Sequence, residues 1–200
     1  AARCSTIASA SGAGCRRRSP AVHGVVGRQR GRTASPFDFA GQQHPTALTR
    51  IARLDSEYDV VIVDTPGSLE DTQILETVLD AADFVVVPMT PESLAVEPTM
   101  RTITRLIEPR HLRHAVLLNR IDTRVPNQLR TWQGLLDTTF GIPRFESHLR
   151  QFKAHADAPV LGHVVTSLRD NRRTAGSIAD VTRVGYEISG QLANAASGRW

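Results

Sequence analysis

Tyr58-Asp-Val-Val-Ile-Val-Asp64-Thr65-Pro66-Gly67-Ser68 decides how this chain is read. Val60 to Val63 is an unbroken β-branched run. Such side chains favour extended backbone, and an apolar run without polar alternation is how a strand covered on both faces reads. An acid closes the run, and Thr-Pro-Gly-Ser turn chemistry follows at once. In open α/β sheets, ligands bind beyond the carboxyl ends of the strands. A carboxylate there can hold Mg²⁺, usually through water, and Mg²⁺ bridges nucleotide phosphates. The loop from Thr65 to Ser68 can then move with the state of a γ-phosphate. The same Asp64 also reads as a simple cap for the helix that follows.

Working outward, strands alternate with helices. His44 to Leu54 and Leu69 to Ala82 have helical periodicity. Phe84–Val87 is a second buried strand stopped by Pro88, and Ala115–Leu118 a third. Between them, Glu97 to Ile107 is a helix opening at Pro98. Asn127 to Phe140 is a helix ended by Gly141, and Thr174 to Ala196 a long terminal helix. The stretches at Arg144–Phe145 and Pro159–Val165 read as edge strands. This alternation predicts an α/β fold of three layers, a mostly parallel sheet with helices on both faces.

The chain has 200 residues, 40% hydrophobic and 22% charged, enough for one ordinary domain with a sizeable core. That balance excludes a wholly disordered chain. No run approaches the roughly 18 apolar residues of a membrane helix, so no transmembrane segment is expected. The net charge is +4, but residues 1–37 carry seven arginines and no acid, leaving the rest at −3. The basic character therefore belongs to the N-terminal segment and is only weak evidence for a nucleic-acid-binding domain. Residues 1–34 read as an irregular basic segment and 35–200 as the α/β domain. The segment fits a transit peptide, a basic arm, or a stretch read in a different frame from the rest of its gene. Cys4 and Cys15 make neither a disulfide framework nor a zinc site, so a reducing cytoplasm is the expected compartment.

Three further segments join the first: Ala81-Ala-Asp-Phe-Val-Val-Val-Pro88 with its loop to Ser93, Val116-Leu-Leu-Asn119-Arg120, and Gly141-Ile-Pro143 with Phe145–Val160. In this order and spacing the chain resembles the ParA/MinD family of partition and positioning ATPases, over about residues 35–195. The resemblance implies a P-loop NTPase-like fold and a dimerising, Mg-ATP-dependent switch that acts in plasmid or chromosome segregation or positions a cellular cargo. It implies a ParB-like partner protein, a homodimer, and binding to nonspecific DNA or a membrane. By match to the family's motif, Asp64 is the Walker B acid, and Thr65, Pro66 and Gly67 sense the γ-phosphate. Asn119 matches the position whose amide contacts adenine; it also reads as a turn residue at a strand end. Arg169, Arg172 and Arg173 would form a phosphate-backbone patch, or else solvated faces paired with Asp170 and Asp180.

Two parts of the family pattern are absent, the phosphate loop and a second acidic motif, an Asp-x-Asp-Pro-like strand end. A phosphate loop needs glycines so that backbone N–H groups converge on the phosphates, and a lysine to reach the β and γ oxygens. No G-x-x-x-x-G-K-[ST] occurs, and the single lysine, Lys153, lies far downstream of Asp64. Gly12 and Gly14 beside Cys15 to Arg18 do not replace it, because an arginine fork is no substitute for lysine in that cradle. The first strand–loop–helix unit is thus missing or degenerate, nucleotide binding is expected to be impaired, and ATPase activity stays open. Two alternatives use the same residues. Asp64-x-x-Gly67 with Asn119-x-x-Asp122 fits a GTPase-like switch that would hold guanine through Asp122. A non-enzymatic remnant or interaction protein is the other.

Overall fold

The computed structural model describes residues 5–8, 14–17, 38–39, 58–65 and 72–196, with side chains over 58–65 and 75–194. The helix expected at His44–Leu54 lies outside the described residues. The chain divides into two compact units. One comprises residues 1–86, 101–113 and 195–200, the other 87–100 and 114–194.

The first unit is built on strands β1 (Ser5–Ala8), β2 (Gly14–Arg17), β3 (Asp38–Phe39), β4 (Tyr58–Val63) and the first half of β5 (Phe84–Met89). They are ordered β3-β2-β4-β1-β5. β1 runs parallel to both its neighbours, with Ala8 opposite Val63 on one side and Val85 on the other. β2 and β3 form an antiparallel margin. The α/β class with a parallel centre therefore holds. β1 and β2 lie within the segment read as irregular and basic, most of which is outside the described residues. Ser5-Thr-Ile-Ala8 has no pattern of its own, and pairing along both edges makes it a strand.

β4 corrects one expectation. Tyr58, Val61 and Val63 are buried, but Asp59 is exposed and Ile62 is 38% exposed, so the strand is not covered on both faces along its whole length. In β5, Phe84 to Val87 are buried in succession, as a strand covered on both faces requires. Pro88 does not stop β5. It is an exposed residue within the strand, where a missing N–H is tolerated.

Helix α1 (Thr72–Asp80) buries Val78 and Leu79 and packs against a π-helical turn, Ile103–Ile107, whose Ile103 and Ile107 are fully buried. Arg110 Nε donates to Asp80 Oδ1 at 2.8 Å and ties the two together. Helix α2 (Ser93–Thr102) starts before the expected Glu97, so Pro98 lies inside it. A proline there has no N–H to offer the carbonyl one turn back.

The second unit centres on β6 (His114–Leu118), with Ala115 to Leu118 all buried. Asn119 N–H donates to the Met89 carbonyl at 2.9 Å along one side. Along the other side runs the segment after Ile142: Phe145 N–H donates to Val116 O and Leu149 N–H to Leu118 O, each at 2.9 Å. This is the edge expected at Arg144–Phe145, reduced to single bridges. Helix α3 (Gln128–Gly134) passes into a π-helical turn, Leu135–Phe140, closed by Gly141 at φ +62°. That left-handed cap is the stop signal the glycine predicts. The second expected edge strand is absent. Residues up to Val160 form helix α4 (Lys153–Val160), and Val165–Ser167 is a 3₁₀ turn. Three alanines at alternate positions favour helix over strand there. Helix α5 (Ala175–Ala196) ends the described chain.

Candidate functional site

Asp64 and Thr65 follow directly on β4, in the first unit. Because Ala8 sits opposite Val63 in a parallel pair, the chain leaves β1 at the same end of the sheet as Asp64. This is the position from which a phosphate loop grows in a P-loop fold. Only residues 9–13 connect β1 to β2, far short of the crossover of about a dozen residues that a loop opening onto a helix requires. A strand therefore stands where the first unit of that fold would begin, and residues 9–13 after it lie outside the described residues. Thr65 is half-buried, while Pro66, Gly67 and Ser68 lie outside the described residues.

Both carboxylate oxygens of Asp64 are buried, and neither accepts a hydrogen bond among the described residues. Burial pushes its carboxyl up to about 6. A buried carboxylate with no donor must take up a proton or a cation. Two free oxygens are a fitting hard donor for Mg²⁺ held largely through water. Among the described residues no group of three or more His, Cys, Asp or Glu is placed to hold a metal ion.

Asn119 lies in the second unit, half-buried at the end of β6. Its Oδ1 accepts the Arg120 N–H at 2.8 Å, and Arg120 takes a left-handed φ of +58°. Asn119 thus takes part in the turn that follows its strand. Asp122, three residues on, is fully engaged. Arg124 Nη2 donates to Oδ2 at 2.7 Å, Arg124 Nε to Oδ1 at 2.9 Å, and the Arg124 N–H to Oδ1 at 3.0 Å. These bonds hold the Asp122 carboxyl at about 2. The Asp122 N–H donates to Gln128 Oε1 at 2.7 Å.

Arg169, Arg172 and Arg173 are exposed on the turn that leads into α5. That turn is stitched by Thr174 Oγ1 donating to Arg169 O at 2.6 Å and by Arg173 N–H donating to Asn171 Oδ1 at 2.8 Å. Asp180 corrects the expectation of a solvated partner for these arginines. It is buried and paired with Arg150. Neither Arg150 nor the Arg124 clip was singled out from the sequence. Asp122-x-Arg124 carries the signal of an Asx turn, but nothing local links Arg150 to a residue thirty positions away.

No helix among the described residues is long and apolar enough to cross a membrane. No protein-family model matches the chain. Maintenance of carboxysome distribution protein A of Gloeobacter kilaueensis is 35% identical over 161 residues, covering 80% of this chain and 72% of that protein. Among solved structures, a plasmid partition protein from Borrelia burgdorferi bound to AMPPNP has a TM-score of 0.51 at 19% identity, over 67% of this chain. The chain spans half the length of that protein. The MinD cell division protein of Aquifex aeolicus gives a TM-score of 0.52 at 18% identity, over 72% of this chain and 59% of its own. These likenesses show a fold shared with partition and MinD proteins. With a relative at 35% identity along most of both chains, and a parallel sheet that presents Asp64 at a strand end, the chain belongs to the ParA/MinD family of partition and positioning proteins.

Proposed function

We propose that this chain is a ParA-like positioning protein, descended from a Mg-ATP-dependent switch and impaired in nucleotide binding by loss of its phosphate loop. The observation that carries the reading is the buried carboxylate of Asp64 at the end of β4, without a hydrogen-bond partner among the described residues. A group that costs stability when ionised and alone is retained where a cation compensates it. In this reading Asp64 is the Walker B acid that organises Mg²⁺. Thr65, Pro66 and Gly67 face the γ-phosphate, and Asn119 meets adenine. The name of the 35% identical relative favours a cellular body as cargo over a plasmid. The working form is a homodimer that meets a ParB-like partner and nonspecific DNA, with Arg169, Arg172 and Arg173 on the phosphate backbone.

Isothermal titration of the full chain with Mg-ATP tests this. Weak binding, roughly 0.1–1 mM, is expected and should disappear in Asp64→Ala. Micromolar binding that survives Asp64→Ala removes Asp64 from its role. A complete lack of nucleotide binding, with no nucleotide effect on oligomeric state, would instead support a non-enzymatic remnant.

A further inference from the structure

The end of β6 offers two different base-reading groups. Asn119 carries a carboxamide, and Asp122 carries a carboxylate three residues on. Adenine presents one donor and one acceptor along its pairing edge, which a carboxamide matches. Guanine presents two adjacent donors, N1–H and N2–H₂, which a free carboxylate accepts together. A strand end bearing both groups is chemically able to read either base, and what decides is whether the carboxylate is free.

It is not free. Arg124 covers both oxygens of Asp122 through Nε and Nη2, at 2.7 to 3.2 Å, and its N–H takes a further lone pair of Oδ1. The backbone of Asp122 is pinned separately, by its N–H on Gln128 Oε1 and by its carbonyl accepting the Val125 N–H at 3.1 Å. Ile121 is buried next to it and bonded on both sides, its N–H to Leu149 O and its carbonyl from Gln151 N–H. The loop cannot turn Asp122 outward without breaking this set. Bidentate guanidinium–carboxylate pairs are among the stronger hydrogen-bonded contacts, so a guanine edge would have to displace Arg124 first.

We infer that the Arg124 clip on Asp122 is a base-selection device, which withholds from guanine the carboxylate that the Asn119-x-x-Asp122 spacing presents. Arg124 acts here as a positioning residue, through Asp122. The inference rests on the nucleotide-binding reading above. It goes further by naming the residue that sets base preference.

The experiment is titration of the full chain with Mg-ATP and, separately, Mg-GTP, in the wild type, Arg124→Ala and the double variant Arg124→Ala/Asp122→Asn. Arg124 is 83% exposed, so its removal leaves the core intact. The expected result is an ATP preference in the wild type that falls about tenfold in Arg124→Ala through tighter GTP binding, the size of one charge-assisted hydrogen bond. The double variant returns the ratio to the wild-type value. An unchanged ratio in Arg124→Ala, or a gain that persists in the double variant, overturns the inference while leaving nucleotide binding standing. Absence of binding for both nucleotides overturns the functional reading itself and the inference with it.

Discussion

Arg150 closes a two-pronged ion pair on Asp180, with Nη2 at 2.8 Å from Oδ1 and Nε at 2.9 Å from Oδ2. Asp180 is 1% exposed on α5, and Arg150 lies on the segment that lines β6. The Arg150 N–H donates to the same carboxylate at 3.1 Å, and the guanidinium sits 4.9 Å over the Phe152 ring. Burial alone would raise the Asp180 carboxyl. The bonds and charge of Arg150 outweigh it and hold the group below the ordinary carboxylate range.

Arg150→Ala is therefore expected to cost about 3–5 kcal/mol, because it strands a buried charge. Urea unfolding measures this directly. Arg150→Lys should recover only part of the loss, since an ammonium cannot grip both oxygens. A carboxyl lowered on folding contributes stability above its unfolded value and loses it as pH falls. The gap between wild type and Arg150→Ala should accordingly narrow below about pH 4. A gap that stays constant into acid would show that the pair is not ionic.

Asp64 predicts the opposite pH dependence. Its carboxyl is raised to about 6, so between 3.8 and that value the folded chain holds a proton that the unfolded chain has released. Stability must fall as pH rises through this window and remain lower above it. Asp64→Asn should raise stability by on the order of 2 kcal/mol near pH 7.5 and make no difference near pH 3.5. Millimolar Mg²⁺ should raise the wild-type Tm at neutral pH and leave Asp64→Asn unmoved. A variant less stable than wild type at neutral pH would contradict the unpaired carboxylate.

Gly141 isolates a backbone effect. It holds φ +62° at the end of the π-helical turn, and a Cβ placed there meets nothing within 4 Å. Gly141→Ala should thus cost about 1 kcal/mol, the left-handed penalty alone. Gly141→Asn should cost less, because asparagine tolerates that region. Thermal unfolding of the two variants side by side checks the order.

The arginine turn before α5 gives a salt-dependent prediction. Replacing Arg169, Arg172 and Arg173 together by alanine should leave Tm within about 1 °C, since all three are exposed. Binding to duplex DNA of mixed sequence should weaken, and the slope of log K against log salt should fall by about 0.9 for each phosphate that is no longer neutralised. An unchanged slope would leave these residues as solvated surface.

Several elements were legible because local chemistry and tertiary context agree. β5 and β6 are apolar runs that end up buried, and Gly141 stops its helix where a left-handed cap is needed. Asp64 was legible for the same reason: an acid directly after a β-branched run can only sit at a strand end. β1 was not, because so short a segment becomes a strand only through partners more than fifty residues away. The stretch from Pro159 looked extended from Val160, Leu161, Val164 and Val165, yet the alanines before it carry a helix through Val160. Asp180 was misread because its local neighbour Arg183 suggests a surface i,i+3 pair. That contact is 3.7 Å long and secondary to Arg150.

β1 carries one more consequence. Its four backbone pairings with β4 hold Ala8 and Val63 side by side. A longer, glycine-rich insert spliced between Ala8 and Gly14 would emerge next to Asp64 with those pairings intact. On the proposed reading, a triphosphate cradle could be tested by that single graft, with β1 and β4 as its scaffold.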